Sequence, residues 1–342
     1  MQPSRKKILF IGGSLNQTSI AHAVARPLQE DFDCYFTPYF CDGGILLRLQ
    51  RAGWLDFTVM GGKFRKATDG YLRDNQLPVD YAGAAGDYDL VVTTSDLLIQ
   101  QSIRGKPIVL IQEGMTDPEG VGYHLVRHLG LPRYIGSTAT TGLSDAYQVF
   151  CVASEGYRDL FIRKGVCPGK LAVTGIPNFD NIAGLGHHDF VQRDFVLVAT
   201  SDTRETFKRD DRKQFIRRCI ELAGGRPLVF KLHPNENVAR STGEIHALIP
   251  DATVLATGDI GPMIAGCQML ICQYSSVAFI GLALGKEVHS SFDIEKLRKL
   301  QPIQNGGTSH LHIASICRRI LDGQRAAVRE KNFAPRMQVA HV

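Results

Sequence analysis

The strongest constraint on the fold is a regular alternation of short β-branched or aromatic runs with segments of helical periodicity. The first series of candidate strands lies near residues 7–11, 34–37, 89–93, 107–111, 149–153 and 171–174. The second series lies near residues 195–200, 228–232, 253–255, 269–272 and 287–290. Strands that alternate with helices in this way form parallel sheets from βα units. The sequence therefore predicts an α/β protein with two doubly wound domains in tandem.

Apolar residues at helical spacing predict a helix between most of these strands. The candidate helices are 18–30, 45–52, 95–103, 121–129, 154–165, 204–223, 239–248, 259–266, 275–284 and 308–322. A polar, glycine-containing stretch at 183–189 indicates a connector, so we place a first domain at 1–184 and a second at 190–325. The polar tail 326–342 either frays or crosses back to the first domain.

The composition is that of a folded globular protein. Of the 342 residues, 44% are apolar and 21% are charged, and this length suits about two domains. The 39 basic and 34 acidic residues give a net charge of +5 without a long basic run, which argues against nucleic acid as a partner. Anionic small molecules, peripheral contact with an acidic membrane surface and a homo-oligomer all stay open.

The apolar runs are too short for a signal-peptide core or a membrane span, so the sequence predicts a cytoplasmic protein. The eight cysteines include no Cys-x-x-Cys pair, and several of them lie within apolar runs. Buried, reduced thiols are therefore favoured over structural zinc or disulfides.

Polar residues that follow the first strands are candidates for chemistry, because open α/β sheets bind ligands at the carboxyl ends of their strands. Gly12, Gly13 and Ser14 permit a tight bend ahead of a helix and predict a backbone surface that faces an acceptor or a phosphate. The turn does not match the Gly-x-Gly-x-x-Gly pattern of a dinucleotide site, because Leu15, Asn16 and Gln17 fill its later positions, and capping by Ser14 or Thr18 is the alternative. Asp96 is a further acceptor-side candidate, again with capping as the alternative.

Glu113 is the leading candidate for a catalytic group. It stands directly at the end of an apolar strand and is followed by Gly114. A carboxylate in that position faces the cleft and can act as a general base. The alternative is a carboxylate that is held by local backbone donors.

The second series carries candidates for binding an anion. Amide donors and the helix dipole after the strand 195–200 favour a phosphate, although an ordinary capped helix also explains this turn. His233 leaves the next strand and can donate a hydrogen bond to a phosphate oxygen. The candidates for phosphate binding are Thr200, Ser201, Arg204, Lys231, Ser275 and Ser276. For the two serines, N-capping by one of them is the alternative.

Taken together, these residues resemble the GT-B superfamily, which contains nucleotide-sugar glycosyltransferases and the non-hydrolysing UDP-N-acetylglucosamine 2-epimerases. Glu113-Gly114, His233-Pro234 and Ser275-Ser276 are similar to the acidic-Gly, His-Pro and Ser-Ser motifs of polysialyltransferase-like capsule transferases. The His-Pro and Tyr-Ser-Ser elements are also similar to those of CDP-glycerol glycerophosphotransferases. The resemblance implies two Rossmann-like domains that face a cleft.

The resemblance also implies an activity, namely metal-independent, inverting transfer of a sugar from a nucleotide-activated donor to a hydroxyl acceptor in surface-glycan synthesis. Glu113 would deprotonate the acceptor, while His233, Ser275 and Ser276 would hold the donor phosphates, and no cofactor or metal is implied. A 2-epimerase would also fit the fold, but the pattern departs from it at Asp202 and at Val277-Ala278. A glycerophosphotransferase and a catalytically silent nucleotide-binding protein are also compatible with these motifs.

Overall fold

The first half of the chain forms a six-stranded, fully parallel sheet. The computed structural model describes residues 5–56, 58–186, 194–201 and 210–323. The strands are Lys7–Gly12 (β1), Asp33–Pro38 (β2), Leu90–Thr93 (β3), Ile108–Ile111 (β4), Val149–Val152 (β5) and Leu171–Val173 (β6). Their order across the sheet is β2-β1-β3-β4-β5-β6. The chain reverses its direction of winding between β1 and β3, and such a switch point opens a crevice for a ligand.

The second half forms a five-stranded parallel sheet in the order β11-β10-β7-β8-β9. Its strands are Val196–Ala199 (β7), Leu228–Lys231 (β8), Thr253–Leu255 (β9), Met269–Cys272 (β10) and Glu287–His289 (β11). The switch point of this sheet lies between β7 and β10. The predicted pair of doubly wound α/β domains is confirmed.

Eleven α-helices are assigned within the described residues. They are Leu15–Ala25 (α1), Gly44–Arg51 (α2), Gly62–Asp74 (α3), Val121–Leu129 (α4), Glu155–Lys164 (α5), Arg212–Ala223 (α6), Val238–His246 (α7), Ile260–Gly266 (α8), Val277–Ala283 (α9), Ile294–Leu300 (α10) and Ser309–Leu321 (α11). The sequence pattern did not predict α3 or α10.

The predicted helix at 95–103 is wrong, because only a short 3-10 turn forms at Gln101–Ile103. The backbone N–H groups of Gln101 and Ser102 donate to the carboxylate of Asp42, at 2.8 and 2.7 Å. The Gln100 side chain donates to the carbonyl of Phe40 at 2.9 Å. Contacts with the loop after β2 therefore replace the hydrogen bonds of a helix.

Helix α11 returns to the first domain, although it follows the second sheet in sequence. It packs against α1, and Arg318 pairs with Asp31 at 3.0 Å. Lys6 donates to the carbonyl of Leu321, the last residue of the helix. The tail 326–342, which we expected to fray or cross back, lies outside the described residues.

All eight cysteines are free, and all but Cys167 are buried. Burial raises the pKa of the Cys151 thiol to about 12, so this thiol stays protonated at neutral pH. Within the described residues, no helix has both the length and the apolar character needed to cross a membrane.

Candidate functional site

The turn after β1 is closely packed against helix α1. A Cβ atom on Gly12 would lie 2.7 Å from Oγ1 of Thr18, and one on Gly13 would lie 2.8 Å from Oε1 of Gln17. Both glycines are therefore required for the approach of the turn to the helix. Ser14 caps the helix by accepting the N–H of Gln17 at 3.2 Å. The capping interpretation of Ser14 is therefore confirmed, and its proposed contact with an acceptor stays a prediction.

Glu113 follows β4, and its carboxylate is held by side chains from the start of α1. Oε2 accepts the amide of Gln17 at 2.6 Å. Oε1 accepts the amide of Asn16 at 3.2 Å and the hydroxyl of Ser14 at 3.4 Å. These donors are side chains, whereas the alternative interpretation expected backbone donors. Glu113 makes no ion pair within the described part of the chain.

Asn178, in the segment that leaves the first domain, forms hydrogen bonds with Glu113 and with the start of α1. Its amide donates to the backbone carbonyl of Glu113 at 2.9 Å and to Oδ1 of Asn16 at 3.2 Å. The next residue, Phe179, packs edge-on against Phe279 of α9, with ring centroids 6.1 Å apart. The interdomain segment therefore connects the loop of Glu113 with the helix that follows Ser275 and Ser276.

Asp96 has a different environment from the rest of the acceptor-side candidates. Only 1% of its surface is exposed, and its two oxygens accept the backbone N–H groups of Gly142 and Ser144, both at 3.0 Å. Burial raises the pKa of its carboxyl, and the Gly142 hydrogen bond partly opposes that shift. These contacts fit an anchor for the loop at 142–144 and do not support the predicted acceptor-side role.

In the second domain, the turn that carries His233 is organised by the buried carboxylate of Glu236. Oε2 accepts the backbone N–H of His233 at 2.9 Å and also the hydroxyl of Thr200. Oε1 accepts the guanidinium of Arg212 at 2.6 Å and the hydroxyl of Ser241 at 3.2 Å. The backbone N–H of Asn235 donates to Nδ1 of His233 at 3.2 Å. Because Nδ1 accepts that bond, the proton of the neutral imidazole is on Nε2.

A cluster of buried polar side chains lies at the switch point of the second sheet. Arg212 donates to Asp210 at 3.2 Å and to the carbonyl of Ser201 at 3.3 Å, and Gln273 donates to Asp210 at 3.0 Å. Within the described residues, Oγ of Ser201, Nη1 of Arg212 and Oε1 of Gln273 have no hydrogen-bond partner. Buried polar atoms without partners are costly, and they often mark a place where a ligand or water binds.

The remaining candidates for phosphate binding differ in their burial. Lys231 is buried and donates to the carbonyls of Leu232 and Ala256, at 3.0 and 3.4 Å, and burial lowers the pKa of its ammonium group. Ser275 and Ser276 are partly exposed just before α9, and the N–H of Val277 donates to Oγ of Ser275 at 3.4 Å. Arg204 lies outside the described residues.

Several residues of this site were not predicted from the sequence. Among them are Asn16, Gln17, Arg212 and Glu236. The two amides are ordinary residues of a first helical turn in sequence, and only the fold brings them to Glu113. A signal did exist for Glu236, since a carboxylate three residues after His233 can reach back to the N–H groups of the same turn.

Several solved structures have a fold similar to that of this chain. A crystal structure of a UDP-N-acetylglucosamine 2-epimerase is similar over 97% of this chain and 100% of its own, with a TM-score of 0.57 and 12% identity. The Methanocaldococcus jannaschii UDP-GlcNAc 2-epimerase, solved with UDP-GlcNAc and UDP, is similar over 91% of this chain and 99% of its own, with a TM-score of 0.56 and 11% identity.

The wall teichoic acid polymerase TagF, solved with CDPG, is also similar, over 94% of this chain and 90% of its own, with a TM-score of 0.51 and 10% identity. No protein-family model matches the sequence, and neither does any curated protein. At these identities the likeness shows a shared fold across both domains.

Proposed function

We propose that this chain, which has the GT-B fold of nucleotide-sugar enzymes, is a metal-independent, inverting glycosyltransferase. It transfers a sugar from a nucleotide-activated donor to a hydroxyl group of an acceptor, in the synthesis of a surface glycan. Two of the enzymes that share the fold were solved with UDP-GlcNAc and UDP or with CDPG. That finding supports a nucleotide-activated donor for this chain.

The observation that carries the proposal is the environment of Glu113. Its carboxylate is fixed by three neutral side chains at the carboxyl end of β4. No basic side chain pairs with it within the described residues, so its charge is not committed to an ion pair. A carboxylate that is held in one orientation and not neutralised suits a general base.

In the proposed reaction, Glu113 takes the proton of the acceptor hydroxyl while the acceptor oxygen attacks the anomeric carbon. The bond from that carbon to the donor phosphate breaks, and the nucleotide leaves with the bonding electrons. Attack from the opposite face inverts the anomeric configuration. Nε2–H of His233 and the hydroxyls of Ser275 and Ser276 stabilise the charge that develops on the leaving phosphate.

The buried network below His233 supports its proposed role. Glu236 fixes the backbone of the turn, and the Asn235 N–H holds the imidazole in the tautomer that carries a proton on Nε2. A hydrogen-bond donor that is already positioned before the substrate arrives loses little entropy when it binds the phosphate. Within the described part of the chain, the cluster of Ser201, Arg212 and Gln273 offers further polar atoms without a partner at the same sheet edge.

The test is the variant Glu113→Gln with Glu119→Gln as its matched control. Glu119 is exposed and lies six residues further along the same loop. We expect Glu113→Gln to lower turnover by about 10²- to 10⁴-fold, because the general base is removed. Calorimetric affinities for UDP, CDP and CMP should stay within about twofold, because the nucleotide contacts lie in the other domain.

Turnover is measured as nucleotide release from UDP-, CDP- and CMP-activated donors in the presence of surface-glycan acceptors. The control variant should keep both turnover and affinity. Full turnover in Glu113→Gln would show that this carboxylate is not the base. If no nucleotide binds to the unmodified protein, the proposal of a nucleotide-activated donor is wrong.

A 2-epimerase is the second candidate function, because two of the similar structures are epimerases with TM-scores of 0.57 and 0.56. NMR of UDP-GlcNAc incubated with the protein, without an acceptor, separates the two activities. An epimerase changes the sugar alone, whereas the proposed transferase leaves UDP-GlcNAc unchanged until an acceptor is added. Transfer from CDP-glycerol would instead indicate a glycerophosphotransferase.

A further inference from the structure

A cavity of about 420 Å³ lies between the loop that follows Glu113 and the helices α5 and α10. Residues 115–119 of the loop and one face of α5 form one wall, and residues between 292 and 300 form the other. Glu113 is not part of the lining, because its carboxylate contacts the start of α1. A cavity of this size can hold a small organic molecule. It is therefore a place for a ligand that is separate from the proposed catalytic carboxylate.

Lys164, in the wall of this cavity, is a buried cation. Only 3% of its surface is exposed, and its ammonium group donates to the carbonyl of Ala139 at 2.8 Å. The ring centroids of Tyr123 and Phe161 lie 5.5 and 5.9 Å from Nζ. Lys164 forms no ion pair with any other residue that the structure describes. Because a buried charge without a counter-charge is costly, an anion in the cavity would be stabilised there.

The acidic residues that line the cavity are engaged elsewhere or are exposed. The carboxylate of Asp117 accepts the hydroxyls of Ser137 and Thr138, at 2.8 and 2.9 Å. Asp293 caps α10 by accepting backbone N–H groups of its first turn. Glu119 is exposed to solvent. None of these three carboxylates forms an ion pair with Lys164.

The charges of the lining act on Lys164 with opposite signs. Burial lowers the pKa of its ammonium group and Lys296 lowers it further, while Glu119 and Asp117 raise it without cancelling the shift. Arg163 and Lys296 are exposed and, like Lys164, have no ion-pair partner among the described residues. Three basic side chains therefore surround a cavity in which no carboxylate neutralises them.

The hydroxyl of Tyr157 is a further polar group that can bind a ligand in the cavity. Only 1% of Tyr157 is exposed, and within the described residues its hydroxyl has no hydrogen-bond partner. Burial raises the pKa of this hydroxyl, although the backbone of Thr116 partly opposes the shift, so the group keeps its proton and can donate. A buried polar atom without a partner often marks a place where a ligand or water binds.

We propose that this cavity binds a phosphate monoester with a ring-sized apolar body. The phosphate accepts hydrogen bonds from Tyr157 and from the basic side chains, and the body packs against the apolar part of the lining, which includes Met115, Leu160 and Leu297. A phosphate monoester suits several cations better than a carboxylate does, because it carries nearly two charges and three acceptor oxygens. The proposal goes beyond the proposed function, which assigns no ligand to this cavity. An occupant would connect the loop of Glu113 with α10.

The test is calorimetry of the unmodified protein with phenyl phosphate as the probe. Benzoate and phenol keep the ring and change the charge, whereas inorganic phosphate lacks the ring. We expect phenyl phosphate to bind at least about tenfold more tightly than each of these three compounds, because only phenyl phosphate offers both parts. Equal affinity for benzoate would show that phosphate is not what the cavity recognises. Equal affinity for inorganic phosphate would show that the apolar wall is not used.

The variant Tyr157→Phe tests the hydroxyl. Because this hydroxyl has no partner in the free protein, its removal should leave the urea midpoint unchanged or raise it. Affinity for phenyl phosphate should fall by about tenfold, because a hydrogen bond to a charged group is lost. The matched control is Tyr147→Phe, since Tyr147 is also buried and its hydroxyl donates to the carbonyl of Gly142. The control should lower the midpoint and keep the affinity, and unchanged affinity in Tyr157→Phe would contradict the proposal.

The variant Lys296→Glu tests the basic side chains. Lys296 is exposed, so its replacement should keep the fold. The reversed charge should weaken the binding of phenyl phosphate by about tenfold or more. Lys299→Glu is the control, because Lys299 is exposed on the same helix but lies outside the lining. Equal losses in the two variants would show that only the net charge of the protein matters.

The variant His233→Ala separates this cavity from the proposed donor site, which also recognises phosphate. We expect His233→Ala to keep its affinity for phenyl phosphate, and Tyr157→Phe to keep its affinity for UDP and CDP. Loss of phenyl phosphate binding in His233→Ala alone would place the probe in the donor site and overturn the inference. If phenyl phosphate does not bind at all, the inference is also wrong. The transferase proposal is tested separately, by nucleotide binding and turnover.

Discussion

Single residues in this protein are placed by partners that are distant in sequence. Glu236 is the clearest example, because one buried carboxylate accepts hydrogen bonds from Thr200, Arg212, His233 and Ser241. Arg212 in turn lies between two carboxylates, Glu236 and Asp210. A buried charge is stable only when such partners are present. The turn of His233 therefore depends on an ion pair.

We expect Glu236→Gln to lower the free energy of unfolding by about 3 kcal/mol, because it breaks a buried ion pair while Arg212 stays charged. The midpoint of urea unfolding measures this loss. If Glu236 acts through His233, nucleotide affinity should fall in Glu236→Gln and should fall no further when His233→Ala is added.

Ser241→Ala is the control for this experiment. It removes a neutral donor to the same carboxylate and should cost about 1 kcal/mol, without an effect on nucleotide affinity. Equal losses of stability in the two variants would show that the charge of Glu236 is not important for the turn.

The candidate residues differ in how far the sequence could predict them. Glu113 and His233 stand directly after apolar strands, so their place at the carboxyl edge followed from the pattern alone. The amide of Gln17 could not be predicted as a partner of Glu113, because 96 residues separate the two. Asp96 also follows an apolar strand, yet its carboxylate accepts hydrogen bonds from the backbone N–H groups of Gly142 and Ser144.

At the scale of elements, the contact between α5 and α10 joins the first domain to the chain that returns from the second. Oγ of Ser154 donates to the carbonyl of Leu300 at 3.1 Å. A Cβ atom on Gly156 would lie only 1.8 Å from the carbonyl oxygen of Lys299. The start of α5 therefore meets the end of α10 at backbone-to-backbone distance, which only glycine allows.

Gly156→Ala should destabilise the protein by about 3 kcal/mol, because α10 must move away from α5 to admit the methyl group. The measurement is again the urea midpoint. Gly243→Ala is the matched control, since it lies within α7 and the added Cβ would meet no atom within 4 Å other than its chain neighbours and the backbone of its own helix. This control should stabilise the protein by about 0.5 to 1 kcal/mol, through helix propensity. Equal stability of the two variants would contradict the packing described here.

The elements also show where sequence patterns fail. Residues 95–103 have a helical pattern, but Asp42 and Phe40 bind the polar groups that a helix would need. Helix α10 has seven residues, as the predicted helices α8 and α9 do, and its last residue, Leu300, is held by a hydrogen bond from Ser154 of the first domain. In both cases the conformation is decided by neighbours in space.

For the whole molecule, the proposed reaction requires groups from both domains to converge on one donor. Glu113 belongs to the first sheet, and His233, Ser275 and Ser276 belong to the second. The interdomain segment contacts both sides through Asn178 and Phe179. Binding of a donor should therefore favour closure of the cleft.

Small-angle scattering tests this closure. Addition of UDP, CDP or CMP should reduce the radius of gyration of the unmodified protein. His233→Ala, which lacks the proposed phosphate contact, should show no reduction at the same nucleotide concentration. An unchanged radius of gyration with a nucleotide that calorimetry shows to be bound would contradict closure.

The sequence by itself determined the two parallel sheets, most of their helices and the positions of the polar residues at strand ends. These features follow from local periodicity, which a chain carries within ten or twenty residues. The tertiary structure alone decided which of those residues share a site, how α11 returns to the first domain, and which apolar side chains of α2 and α4 stay exposed. The reason is physical, because contacts such as that of Asp31 with Arg318, 287 residues apart, depend on strand order and packing, which no local pattern encodes.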